Sequence, residues 1–424
     1  MRLTNQSFPD YDTTAVKTTR WKTILDVDLK LVTPMMGGGS VAGRPDLDYP
    51  IRSSSVRGAL RRWWRASICF SNFAEMKSRE AALWGMVGET ATSSRVKVEV
   101  IANPIPAADI TNLIDSRSPA YAYGVLSGER RKTDDEKTKI LNKCEFKVIV
   151  SVLDLNSEYR VSDEEIDEVR RAFGCWVMFG GIGSRTRRGF GSLQMVPADK
   201  SHPSAELCSN VSHLLGSLPK PVVKVEFPSG FTSLHGGSVF VSKAPCENVM
   251  KAWTDSVEVL RCFRKGQMLG SERPSDGMAS HSPWPEADSL RGPGRELRKM
   301  GGKVAFPRAE LGLPLEIRSI EGSSGYFGNG RVPGFSANDR LASPVIVRPL
   351  LIDGKWHAGV IVMKTGRLTA NGVNTDCTGY PDNLYGRSVT GRSYDNSIQK
   401  HGGILDAFKV VVQFYYDLKE VKGA

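Results

Sequence analysis

Segments of strand period and helix period follow one another in the order β-α-β-β-α-β, and this order restricts the fold more than any other feature of the chain. Residues 24–32, ILDVDLKLV, alternate and are rich in branched side chains, the pattern of a strand with one buried face. Thr33-Pro34 and then Gly37–Gly39 end it. Beyond Ser53–Ser55, plausible N-cap residues, the segment VRGALRRWWRASI places Val56, Leu60 and Trp63 on one stripe of an amphipathic helix. Strands are expected at Val96–Ile101 and Phe146–Leu155, on either side of a mixed-charge excursion at 129–139. Asp163 is expected to cap a second helix, whose acids come early and arginines later, as the helix dipole favours. That helix ends at Gly180-Gly181, and SRTRRGFGSLQM returns to a strand. The order is that of a ferredoxin-like domain.

The order then restarts. Residues 199–220 are rich in Ser, Pro and His, which sets a boundary between domains 1–210 and 211–424. A strand is expected at Val222–Phe227. A helix follows over Glu247–Lys265, with Met250, Trp253, Val257 and Leu260 on one face. Further strands are expected near Leu315–Ile320, Pro344–Ile352 and Trp356–Thr365. Leu405, Phe408, Val412, Tyr415 and Leu418 keep helical spacing, so the chain is expected to end in a helix. The expected fold class is α+β, as two tandem ferredoxin-like domains with long insertions. Loops of that length inside a compact domain are usually functional or disordered.

Composition excludes several classes. With 424 residues, 40% apolar and 24% charged, the chain has enough apolar material for more than one core, which excludes a wholly disordered chain. No apolar run approaches the roughly 18 residues of a membrane span. No apolar targeting segment opens the sequence, so a cytoplasmic location is expected. The seven cysteines are scattered, without the short spacing of a zinc site or redox pair, and no metal or cofactor is expected. The net charge of +11 favours a polyanionic partner. Two windows are sharply basic. Residues 49–74 hold five arginines and no acid, and residues 180–198 hold three arginines and no acid.

The first window belongs to GGGSVAGRPDLDYPIRSSSVRGALRRWWRA (37–66). A Gly-rich turn between strand and helix lets backbone amides approach a phosphate. Arg52 and the stripe Arg57, Arg61 and Arg65 can follow a sugar-phosphate backbone. Trp63 and Trp64 could stack on bases, but Trp63 lies on the core face; the alternative is a solvated helix with both rings buried. The second window, GGIGSRTRRGFGS (180–192), places five glycines and three arginines in thirteen residues. It is neither a Walker A loop nor a dinucleotide fingerprint, because Thr186 stands where the latter needs its third glycine. Gly181, Gly183, Ser184, Arg185, Arg187 and Arg188 offer only donors, which suits phosphates. The alternative is a tight turn with its arginines in solvent. In a β-α-β-β-α-β domain the two windows can come together.

These residues resemble a known family. The strand plus TPMMGGG, then IRSSSVRGALRRWWR, then GIGSRTRRGFGSLQ, are similar to the RAMP superfamily of CRISPR-associated proteins. SPWPEADSLR (282–291) and FPRAELGLPLEI (306–317) are similar to the first-subunit family of the type III-B Cmr complexes. The resemblance implies two RRM-like halves, binding of CRISPR guide RNA near its 3′ end and of target RNA, and docking on other Cmr-complex RAMP subunits. Trp284 and Arg291, on a Pro-flanked loop, are candidates for contact with RNA or a neighbouring subunit; the alternative is a structural plug. The insertions at 323–340 and 366–403 match no pattern.

A metal-free RNase needs a general acid and base, most often His. All six histidines follow residue 200, whereas both basic windows precede it. Asp46 and Asp48 lie in the loop where RAMP backbone subunits that cleave their target carry an Asp; the alternative is that they cap the loop, one pairing with Arg52. The expectation is a non-catalytic RNA-binding subunit, with no catalytic residue. The competing class is a RAMP-type RNA endonuclease acting on guide precursor or target. An enzyme binding a sugar or nucleotide rests on the Gly-rich loops alone.

Overall fold

The computed structural model describes residues 21–423 apart from 89–90, 124–131, 134, 155–158, 197–204, 222, 229, 265–306, 313–314, 317–333, 337–340, 367–373 and 376–402. Trp284 and Arg291 lie outside these residues, as does nearly all of both unmatched insertions.

Alternation builds the first sheet. Strand β1 (Trp21–Leu31) turns Leu25, Val27 and Leu29 inward. It pairs antiparallel with β3 (Glu145–Leu153), with Val27 opposite Val148 and Leu29 opposite Phe146. Strand β2 (Val96–Ala102) flanks β3, and the short β4 (Leu193–Met195) flanks β1, giving the order β2-β3-β1-β4. Helices α1 (Ser53–Ser67) and α3 (Asp163–Phe179) cover one face. Val56, Leu60 and Trp63 are buried as their spacing requires. Ser162, rather than Asp163, caps α3, in a reciprocal capping box with Glu165. Helix α2 (Phe73–Trp84), capped by Asn72, lies between α1 and β2 in the chain.

The chain leaves this half through two short helices, α4 (Ala205–Ser209) and α5 (Val211–Gly216). The boundary drawn at residue 210 falls between them, and Cys208, Val211 and Leu214 belong to the larger core. The second sheet comprises β5 (Thr232–Ser242), β6 (Val345–Ile352), β7 (Lys355–Thr365) and β8 (Leu418–Val421), in the order β6-β7-β5-β8. Numbered by rank within its own half, each sheet reads 2-3-1-4, and all its pairings are antiparallel. Helices α6 (Val249–Arg264) and α7 (Ile404–Tyr415) complete the second β-α-β-β-α-β unit.

Two expectations for this half are corrected. The described residues of 222–227 form no strand. VVKVEF alternates, but Pro221 and Pro228 enclose it, and the first strand is β5, whose period is interrupted by Gly236-Gly237. Leu418 is not helical: α7 stops at Tyr415, Asp417 takes a left-handed φ of 54°, and Leu418 opens β8 opposite Ser242 of β5. Of the strand expected near Leu315–Ile320, the described part is Leu315–Glu316.

The two halves stack in four layers. The second sheet lies between α6 and α7 on one side and α1 and α3 on the other. Val345, Val347, Val360 and Val362 face the first pair; Ile346, Leu350, Ile361 and Met363 join the core of the first half. Burial on both faces explains the unbroken apolar run of β6. The outer face of the first sheet stays open and carries Asp26, Lys97, Glu99 and Ile101. Among the described residues, no helix is long and apolar enough to cross a membrane.

Candidate nucleic-acid interface

The Gly-rich turn is built onto the end of β1. Gly180 caps α3, and its amide donates to Trp176 O (2.9 Å). Ile182 N–H donates to Gly191 O (3.0 Å), and Gly191 N–H to Pro34 O (2.8 Å). Ser184 N–H donates to Met36 O (2.7 Å), and Thr33 Oγ1 to Gly189 O (2.6 Å). The turn is therefore rigidly based. Its tip, Gly183–Arg185, is exposed. Arg185 adopts φ 59°, a left-handed conformation that costs a residue other than Gly about 1–2 kcal/mol. Strain at an exposed cation is the kind of outlier that marks a functional position.

The first window comes to the same place. A Cβ on Gly37 would lie 3.1 Å from Ser184 Oγ, and one on Gly38 3.6 Å from Pro50 O, so the two glycine turns and the start of α1 adjoin. Arg52 is the N-cap residue of α1, makes no side-chain cap bond, and no acid occupies the first turn. The positive end of the helix is left for an anion.

The arginine stripe has another assignment. Arg61 and Arg65 share Glu80 of α2 (2.8 and 3.0 Å), and Arg57 donates to Trp84 O. These three cations fasten α1 to α2, a helix the sequence reading did not assign although Asn72 and Glu75 carry a cap signal. Changing Glu80 to Gln should lower stability by about 1–3 kcal/mol, the worth of hydrogen bonds to charged groups, measured as a shift in the urea midpoint. Trp63 and Trp64 are both buried, the latter donating to Glu168 (2.9 Å), which removes them as base-stacking platforms. Asp46 accepts from the amides of Asp48 (3.1 Å) and Tyr49 (3.0 Å) and pairs with Arg52 (3.2 Å). The Tyr49 amide bond, foremost, holds its carboxyl below the usual carboxylate range. Asp46 is a loop cap; Asp48 is exposed.

Arg187 and Arg188 turn inward, unlike the alternative of a tight turn with its arginines in solvent. Arg187 donates to Ser343 O, at the entry to β6. Arg188 lies 5.4 Å over the Tyr121 ring, and its carbonyl accepts from Trp253 Nε1 (2.7 Å). Phe190 meets Trp253 edge-on at 4.9 Å. The turn thus joins the two halves. Burial pulls Arg187 down to about 9, with Arg62 adding repulsion. It pulls Arg188 down to about 10, with Arg264 and Arg185 adding to it. Among the described residues, none of Arg62, Arg185, Arg187 and Arg188 forms an ion pair with a carboxylate.

Two seam residues escaped the sequence reading. Arg348 of β6 is 2% exposed and reaches across to Gly180 O and Leu193 O (3.4 Å). The signal was an arginine inside VIVRPLLI. His235 of β5 shares a 3.1 Å hydrogen bond with Ser67 O, at the end of α1, and burial lowers its pKa. A histidine depressed in the fold stabilises it fully only above the ordinary histidine range, near pH 6.5. Stability should therefore fall as pH drops below about 6.5, and His235→Gln should flatten that dependence in acid melts. Of the other described histidines, His213 lies 3.3 Å from Glu206, and His357 shares a 2.8 Å hydrogen bond with Ser242 O. None of the three stands at the loop tip.

Residues 28–194 match the family model of the RAMP superfamily. This first part of the chain is thus similar to the RAMP superfamily, the resemblance its motifs led us to expect. The comparison with curated proteins finds no match. Among solved structures, the chain is similar to Cmr1 from Pyrococcus furiosus in its apo form, at 16% identity and a TM-score of 0.47, covering 94% of this chain and 98% of that one. It is also similar to a chain of the type III-B Cmr-β complex bound to cognate target RNA and AMPPnP in the presence of ssDNA, at 11% identity and a TM-score of 0.46, covering 92% and 99%. A second Cmr-β complex bound to cognate target RNA gives 10% identity and a TM-score of 0.43, covering 82% and 96%.

Proposed function

We propose that this chain is a non-catalytic RAMP subunit of a type III-B CRISPR ribonucleoprotein, with two tandem ferredoxin-like halves. It binds guide or target RNA through the sugar-phosphate backbone at the Gly183–Arg185 tip and docks on neighbouring RAMP subunits. The observation that carries the RNA reading is the junction itself. A strained, exposed Arg185 stands beside two glycine turns and the uncompensated N-terminus of α1. Its exposed cation and amides suit a phosphate, and nothing in it selects a base. The RAMP match over residues 28–194 supports the same reading. The type III-B placement rests on the motifs at 282–291 and 306–317. Asp46, held as a loop cap, argues against the endonuclease alternative.

Arg185→Gly tests the reading because strain and binding move in opposite directions. Glycine relieves the left-handed backbone, so stability should rise by about 1 kcal/mol. Affinity for single-stranded RNA should fall roughly tenfold, the loss of one charge-assisted bond. The slope of log affinity against log salt should flatten by about 0.7. Unchanged affinity would remove the tip from the RNA path. Asp46→Ala should leave target cleavage by a reconstituted complex unchanged; lost cleavage with retained binding would establish the nuclease.

A further inference from the structure

A cavity of about 500 Å³ lies where the two halves meet. Met178 of α3, Leu193 of β4 and Cys208 of α4 line it from the first half; Leu350 and Leu351 of β6 and Trp356 of β7 line it from the second. That size and a mostly apolar wall are those of small-molecule sites, which often form between domains. Arg348 of β6 also lines the cavity and is 2% exposed. Its hydrogen bonds go to carbonyls, those of Pro349, Gly180 and Leu193, and do not use up the N–H groups of a guanidinium. Among the described residues no carboxylate pairs with it. Carbonyl dipoles satisfy donors without neutralising a charge, so a cation shut off from water in this way favours an anion. The acids of the cavity, Glu206 and Asp353, are both exposed and belong to its mouth.

We propose that this cavity binds a small molecule with one anionic group and an apolar body, of the class of a medium-chain carboxylate, with the anion at the Arg348 guanidinium and the body against Leu350 and Trp356. The N–H groups that the carbonyls leave over serve the anion as charge-assisted donors. The exposed acids at the mouth repel a run of phosphates, which selects a monoanion over RNA. The ligand touches both halves, so it binds only while they are packed together and stabilises the seam by mass action. The inference stands or falls separately from the RNA reading of the Arg185 tip.

The experiment titrates the full chain with octanoate and with octanol, which share an apolar body and differ in charge. Both are followed by displacement of 1-anilinonaphthalene-8-sulfonate, itself an apolar monoanion. Circular dichroism checks that each variant is folded at the titration temperature. The wild type is expected to bind the dye saturably, and octanoate about tenfold more tightly than octanol, the worth of one charge-assisted bond. Octanoate should also raise the melting temperature. Arg348→Met keeps most of the volume and removes the charge, so octanol should bind as before while octanoate loses its tenfold advantage. Leu351→Trp fills the cavity from a half-buried wall position and leaves Arg348 in place. It should bind neither dye nor octanoate and should keep its affinity for single-stranded RNA. The site is overturned if the wild type does not bind the dye, if octanoate and octanol bind it alike, or if Leu351→Trp keeps full octanoate affinity. Lost RNA affinity in a folded Leu351→Trp chain would give the cavity to RNA and overturn the small-molecule assignment.

Discussion

Arg348→Ala should cost about 3–5 kcal/mol and separate the two halves before either sheet melts. The side chain is fully buried in β6 and serves three carbonyls: its own neighbour Pro349 (3.3 Å), Leu193 (3.4 Å) and Gly180. Gly180 ends α3, so the guanidinium also sits at the negative end of that helix. Burial pulls this arginine down to about 9, yet it remains charged at neutral pH. Its removal strands acceptors that water cannot reach, at about 1–3 kcal/mol each, and opens a cavity beside Leu350. The two long bonds keep the total in the lower part of that sum. Arg348→Met refills the volume and should recover about 1–2 kcal/mol by restoring packing alone. A denaturant midpoint followed by Trp fluorescence checks both variants. An Ala variant as stable as wild type would show that the halves are held by apolar packing only.

The second large effect is expected from Gly191→Ala. Gly191 has φ +60°, and a Cβ there would drive into the Ile182 carbonyl oxygen. The strand of the turn cannot retreat, because Gly191 N–H is bonded to Pro34 O and Gly191 O to Ile182 N. Loss of at least about 3 kcal/mol is expected from the overlap and the broken bonds together. RNA retention should largely vanish, since Ser184 and Arg185 are carried on this base. Gly354→Ala is the control. It has a similar φ of +74° at the β6–β7 turn but open space around it, so the backbone cost of about 1–2 kcal/mol stands alone. Equal losses in the two variants would mean that the crowding at Gly191 is relieved by a shift of the turn.

Much of the scaffold was legible because its signals are local. The alternation of ILDVDLKLV and the spacing of Val56, Leu60 and Trp63 record which side chains face inward, and burial confirms them. Where a local signal was interrupted or imitated, the reading failed. Gly236-Gly237 hid β5, and VVKVEF imitated a strand between prolines. Leu418 kept helical spacing past Tyr415, where the left-handed Asp417 turns the chain into β8.

The sequence by itself determined the β-α-β-β-α-β order of the first half apart from α2, the inward faces of the main helices and strands, and the two windows in which cations outnumber acids. Those depend on period and on turn residues, both properties of neighbours along the chain. Only the tertiary structure decided which cations remain available. Arg61 and Arg65 lie on α1 with Arg62, but Glu80 of α2 engages both of them, while Arg62 meets no acid among the described residues. Arg185, Arg187 and Arg188 share one turn, yet only the first is exposed, because the second half packs against the other two and leaves them half-buried. A charge acts through whatever meets it in space, and for these arginines the partners stand on other elements of the fold.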